Sequence, residues 1–140
     1  MAVDIAFSQF FDRAAVQAKV KDGTRSALSK AGAFVRTRAK TSIRKRKASS
    51  EPGSPPSSHT GLLRDRIFFG YDSARESVVV GPQLLNGNRG LPVPELLEQG
   101  GDVKRGKVQM HYAAHPFMRP ALEAERDHFV EVFGNCIKGN

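Results

Sequence analysis

The chain carries a single cysteine, Cys136, in 140 residues. An intramolecular disulfide and a cysteine-built zinc cluster are therefore excluded. Cys136 falls in an apolar stripe and reads as a small packing residue rather than a nucleophile. No apolar run approaches the ~20 residues that a membrane-spanning helix needs. The opening Met1-Ala-Val-Asp-Ile lacks the basic start of a secretory signal, so a soluble product, intracellular when made, is expected. Catalytic patterns are missing too. No serine sits in a Gly-x-Ser-x-Gly elbow, and no Gly-x-x-x-x-Gly-Lys-Ser/Thr run is present to cradle phosphates. Ser54 and Ser57 lie in a segment expected to be mobile, where a nucleophile could not be preorganised. Glu95, Glu98 and Asp102 read as solvated carboxylates. His111 and His115 are four apart, which on a helix would aim both rings at one metal ion. Pro116 biases His115 away from helical geometry, and on a strand the rings would stand about 13 Å apart. His59 and His128 have no recognisable partners. The expectation is a protein with no catalytic residues, no cofactor and no metal.

What is present in excess is positive charge, with 22 Lys and Arg against 14 Asp and Glu. Arg36, Arg38, Lys40, Arg44, Lys45, Arg46 and Lys47 follow one another with no acid among them. Such a block can neutralise phosphates, with strong salt sensitivity, or steer docking onto an acidic protein surface. It can equally be a solvated helix end running into a loop. No aromatic residue interleaves it, so a single-strand stacking platform and sequence-specific reading are not expected. The seven residues are the candidate contacts with DNA or with a protein partner.

At 15.3 kDa the chain fits one compact domain that buries roughly two-thirds of the surface of its unfolded form. From Phe10 to Ile43 there is no proline, and Val16, Val20, Leu28, Ala31, Val35, Ala39 and Ile43 recur at helical steps with a gap near Gly23. The pattern predicts one long helix, or two hinged at Gly23. A helix of this extent would be on the order of 45 Å long, more than so small a domain can cover. Part of it is expected to pack on a neighbouring subunit. Residues 49–60 are dense in Pro, Gly and Ser with no hydrophobic anchor, which predicts a mobile loop over about 46–60. A second loop is expected over about 83–93, where Asn86-Gly-Asn-Arg-Gly stands between prolines. Thr60 to Tyr71 reads as a helical turn running into a strand. Ser77 to Pro82 reads as its antiparallel partner across Asp72-Ser-Ala-Arg. Pro94 to Gly101 suggests a brief helix, and Lys107 to Tyr112 a further strand with Val108, Met110 and Tyr112 on one side.

The last segment is the most informative. Pro116 and Pro120 forbid a helix entering from the N-terminal side but suit a first helical turn, so a helix should start near Phe117 to Pro120. Met118, Leu122, Phe129, Val132, Phe133 and Cys136 then form an apolar stripe broken only at Glu125. Gly134 should weaken the last turn, with Gly139 a stop. The predicted fold is α+β: a long N-terminal helix, a small antiparallel sheet of about three or four strands and a C-terminal amphipathic helix.

Several separated pieces have family-like wording: Gly32-Ala-Phe-Val-Arg-Thr-Arg-Ala39, Pro-Gly-Ser-Pro-Pro leading to Thr60-Gly-Leu-Leu-Arg64, Val78-Val-Val-Gly-Pro82, Leu97-Glu-Gln-Gly-Gly101 and Tyr112-Ala-Ala-His-Pro-Phe-Met-Arg-Pro-Ala121. In this order, from about Phe11 to Phe133, the chain resembles the phage HK97 gp10-like family of head-tail neck and tail-completion proteins. The resemblance implies a structural virion protein of a long-tailed phage or prophage, made in the bacterial cytoplasm. It implies a ring of copies around the DNA path, with six taken from the symmetry of long tails. It also implies partners in the tail terminator and the head-completion or neck proteins, and no enzyme activity or membrane. A tail terminator, or a small nonspecific duplex-DNA-binding protein, are the alternatives.

Overall fold

A computed structural model describes residues 12–83 and 92–138. The expected class holds: a long helix leads, short strand pairs follow, two of them antiparallel, and a second long helix closes the chain. Helix α1 runs unbroken over Arg13–Ser42, 30 residues. Asp12 caps it, its carboxylate accepting from the Ala15 N–H at 3.0 Å. Gly23, Ala27, Ala31, Val35 and Ala39 form one buried stripe at four-residue steps, continued by Ile43 just beyond the helix end. These residues are mostly small because another helix crosses close. A Cβ on Gly23 would stand 3.1 Å from the Cys136 carbonyl oxygen. Of the two expectations at Gly23, the single helix is therefore the one found, and the gap in the pattern marks a contact.

After α1, strand β1 (Arg44–Lys45) pairs in parallel with β2 (Ser57–Ser58). The connecting segment has more to hold it than its composition predicted. Pro56 and Ser58 are buried, the Gly53 N–H donates to the Ala114 carbonyl at 2.8 Å, and His115 Nδ1 lies 3.1 Å from the Ser54 carbonyl oxygen. The anchors come from residues some sixty positions later in the chain, which is why local composition did not show them. The expected second loop at 83–93 falls mostly outside the described residues.

Helix α2 (Leu62–Asp65) is one turn, entered through Gly61 at φ +82°, and it buries Leu63. Strands β3 (Ile67–Asp72) and β4 (Ser77–Pro82) form the expected antiparallel hairpin, with Asp72 opposite Ser77. Asp72 holds the turn by accepting from the Ala74 N–H at 2.9 Å. The hairpin lies against α1 at Gly32, where a Cβ would meet Val78 Cγ2 at 2.6 Å and Phe69 Cδ2 at 3.0 Å. Helix α3 (Val93–Gln99) is followed by β5 (Gly101–Arg105) and β6 (Val108–Tyr112), an antiparallel ribbon turning at Gly106. The strands make separate two-stranded units rather than one continuous sheet.

Helix α4 (Met118–Lys138) begins where the prolines placed it and packs along α1. Its first turn is capped from a distance. Glu98 on α3 accepts from the backbone N–H groups of Phe117, Met118 and Arg119 at 2.9, 3.0 and 2.9 Å. A carboxylate there offsets three of the donors that a helix start leaves unmade and suits the positive end of its dipole. This corrects the reading of Glu98 as a solvated acid. The core joins the two halves: Val35, Ala39 and Ile43 meet Leu63, Ile67, Phe117 and Ala121.

Candidate functional site

The side chains of the basic run fall into separate settings. Arg36 turns inward, and its Nε donates to the Ile67 carbonyl at 2.9 Å, tying α1 to the start of β3. Arg38 crosses to α4 and meets Glu125, with Nε to Oε1 at 2.6 Å. Both are positioned by α1's periodicity, which brings them beside the buried stripe. Lys40 is half-buried on the same helix. Beyond the helix end the remaining four, Arg44, Lys45, Arg46 and Lys47, are exposed. Among the described residues no carboxylate lies in ion-pair range of these four.

Glu125 is the polar centre between the long helices, and it is only 7% exposed. Its second oxygen, Oε2, lies 3.0 Å from His128 Nδ1. The hydrogen bond with His128, joined by that from Arg38, holds the carboxyl below the usual glutamate range, against the opposing pull of burial. With both oxygens engaged from within the chain, the group ties helix to helix. The signal for it was in the sequence: an acid interrupting an apolar stripe is buried only where a cation meets it. Two expectations about single residues change here. His128 has a partner, and Cys136 is half-exposed, with its Sγ 3.8 Å from Ser26 Oγ.

His111 and His115 have separate partners. His111 Nδ1 lies 2.7 Å from Asp102 Oδ1 on the exposed ribbon, while His115 faces Ser54. No group of three or more His, Cys, Asp or Glu side chains among the described residues is placed to hold a metal ion. No described helix is long and apolar enough to cross a membrane.

The second notable surface is apolar. A groove of about 560 Å³ runs between α1, β4 and α4, lined by Leu28, Val35, Val79, Leu122, Phe129 and Phe133. Val79 at its edge is 65% exposed, and Phe34, Phe68 and Val130 also reach solvent. In the first turns of α1, Val16 and Val20 are 43% and 47% exposed, with no described residue packed over them. Hydrophobic residues scattered singly need no explanation, whereas those lining the groove are contiguous on three packed elements. Comparison with protein families, curated proteins and solved structures finds no match to this chain.

Proposed function

We propose that this chain is a structural subunit of a long-tailed phage or prophage particle, a neck or tail-completion protein that joins head to tail as one copy in a ring around the DNA path. The observation that carries the reading is the apolar groove between α1, β4 and α4 together with the exposed Val16 and Val20 at the start of α1. A closed ring of copies, six by the symmetry of long tails, supplies the burial that a lone subunit lacks. Tail terminator and head-completion proteins are the neighbouring layers, and the finished protein resides in the virion. The family-like pieces quoted above add to the reading: Pro116-Phe-Met-Arg-Pro120 forms the entry to α4, and Gly32 is where the hairpin docks on α1.

The test is complementation in a lysate. Purified protein added to separated heads and tails from a phage lacking the gene should restore infectious particles. A variant with Val79→Lys and Leu122→Lys should not, while remaining folded by circular dichroism. Failure of the unaltered protein to restore particles contradicts the joining role.

A second reading, a small nonspecific duplex-DNA-binding protein, is favoured by one observation: Arg44 to Lys47 stand exposed without acidic partners. In that case duplex binding would collapse as salt rises, and charge reversal of the run would abolish function without affecting assembly.

A further inference from the structure

We infer that Arg44 and Arg46 form a clamp for the phosphates of a nucleic-acid backbone, distinct from the rest of the basic run. The inference rests on the reading of this segment as the side of the protein that meets DNA. It narrows that reading to two side chains and one ligand chemistry.

The geometry comes from the short parallel pairing of β1 with β2. In an extended segment alternate side chains leave on the same face, about 6.7 Å apart. Arg44 on β1 and Arg46 just past its end line one depression of about 300 Å³, with Thr41, Ser42, Ser54 and Ser57 around it and Pro55 the one apolar residue of its lining. Lys45 leaves on the opposite face, its stem passing Gly61 at 3.7 Å from where a Cβ would sit. Arg46 is held ready: its Nε donates to Ser57 Oγ at 2.9 Å, leaving its terminal nitrogens for a ligand. Three of the hydroxyls cannot compete as donors. Thr41, Ser42 and Ser54 already give their hydrogens to the carbonyls of Arg38, Ala39 and Glu51. The donors left in the depression are guanidinium N–H groups and the Ser57 hydroxyl, and the guanidinium groups suit phosphate oxygens in forked pairs.

The composition of the lining decides between the two anionic partners. A protein-docking surface has an apolar or aromatic centre, whereas here no aromatic residue and a single apolar one, Pro55, stand among polar side chains. Arginine among serine and threonine is the usual company of the sugar-phosphate backbone. Arg36 and Arg38 lie outside this depression, tied through Nε to the Ile67 carbonyl and to Glu125.

The experiment uses the full chain and fluorescence anisotropy with a short labelled duplex over a salt series. Two variants remove equal charge: Arg44→Gln with Arg46→Gln, and Lys45→Gln with Lys47→Gln. The arginine pair should weaken binding at least ~10-fold and flatten the log–log salt slope by about 1.8, the loss of two phosphate contacts. The lysine pair should weaken it by less than ~3-fold, the loss of general field alone. Equal losses from both pairs would overturn the clamp in favour of diffuse attraction. No duplex binding by the unaltered protein at low salt would overturn it as well. Polyglutamate bound as tightly as duplex, with the same dependence on Arg44 and Arg46, would overturn the nucleic-acid assignment and point to an acidic protein. Either failure leaves the joining role standing if particles still fall apart when the gene is removed, so the two proposals fail separately.

Discussion

Arg38 and Glu125 stand 87 positions apart in the chain and meet at 2.6 Å, the contact that fixes the two long helices in register. One partner is half-exposed and the other nearly enclosed, with side-chain exposures of 50% and 9%. Truncating the arginine should therefore cost more than losing a surface pair, because it leaves a carboxylate with too few donors. Arg38→Ala is expected to lower unfolding stability by about 1–2 kcal/mol, between the ranges of exposed and fully buried pairs. Joint replacement by Arg38→Met and Glu125→Leu should cost less than Arg38→Ala alone. Urea unfolding of the two variants and the unaltered protein checks this, and a double variant less stable than Arg38→Ala would refute it.

Acid should loosen the same contact. The carboxyl of Glu125 is lowered from its ordinary value of 4.5, chiefly by His128 and then Arg38. A depressed carboxylate adds stability that is present above its unfolded-state pKa and is lost as pH falls through its folded-state pKa. The contribution should therefore be complete at neutral pH and should fade below about pH 4.5. Glu125→Gln should flatten the acid limb of the stability curve in that window, as read by denaturation at a series of pH values. An unchanged acid limb would assign the loss to other groups.

Two glycines of the long helices should respond oppositely to the same added methyl. At Gly32 a Cβ meets Val78 at 2.6 Å and Phe69 at 3.0 Å, whereas at Gly134 nothing lies within 4 Å. Gly134→Ala should stabilise by up to about 1 kcal/mol through helix propensity. Gly32→Ala gains the same propensity but forces the hairpin off α1, an overpacking cost of about 1–3 kcal/mol that should leave a net loss. Thermal unfolding of the pair gives the signs directly.

The remote cap makes a further prediction. Glu98 accepts from three consecutive N–H groups at the start of α4. Glu98→Ala should destabilise by about 1–2 kcal/mol, the upper part of the range for a lost cap. Amide exchange should show early loss of protection at Phe117 to Arg119. Protection unchanged at those amides would mean that water replaces the carboxylate without loss.

Much of this architecture was legible in local patterns. The proline-free stretch with four-residue apolar steps became α1, Asp72-Ser-Ala-Arg became a hairpin turn, and Pro116 and Pro120 framed the start of α4. Periodicity and turn chemistry act over a few residues, so one sequence displays them. The parts that escaped are long-range pairings. Glu98 looked solvated because its three donors lie 19 to 21 positions away. The segment 49–60 looked unanchored because Ala114 and His115 hold it. Strand β5 carries Asp102, Lys104 and Arg105 around a single valine, too little alternation to announce itself before its pairing with β6. The basic run was visible as a charge pattern, but its division into Arg36 and Arg38, tied to Ile67 and Glu125, and Arg44 to Lys47, without an ion pair among the described residues, needed the helix end and the position of Glu125.

The central claim, that the protein joins head to tail, is tested most directly by electron microscopy of lysates from a phage or prophage lacking this gene. DNA-filled heads and complete, unattached tails in the same field are the expected result, with whole particles restored when the gene is supplied in trans. Normal infectious particles without the gene would contradict the claim and leave nonspecific duplex binding as the function to pursue.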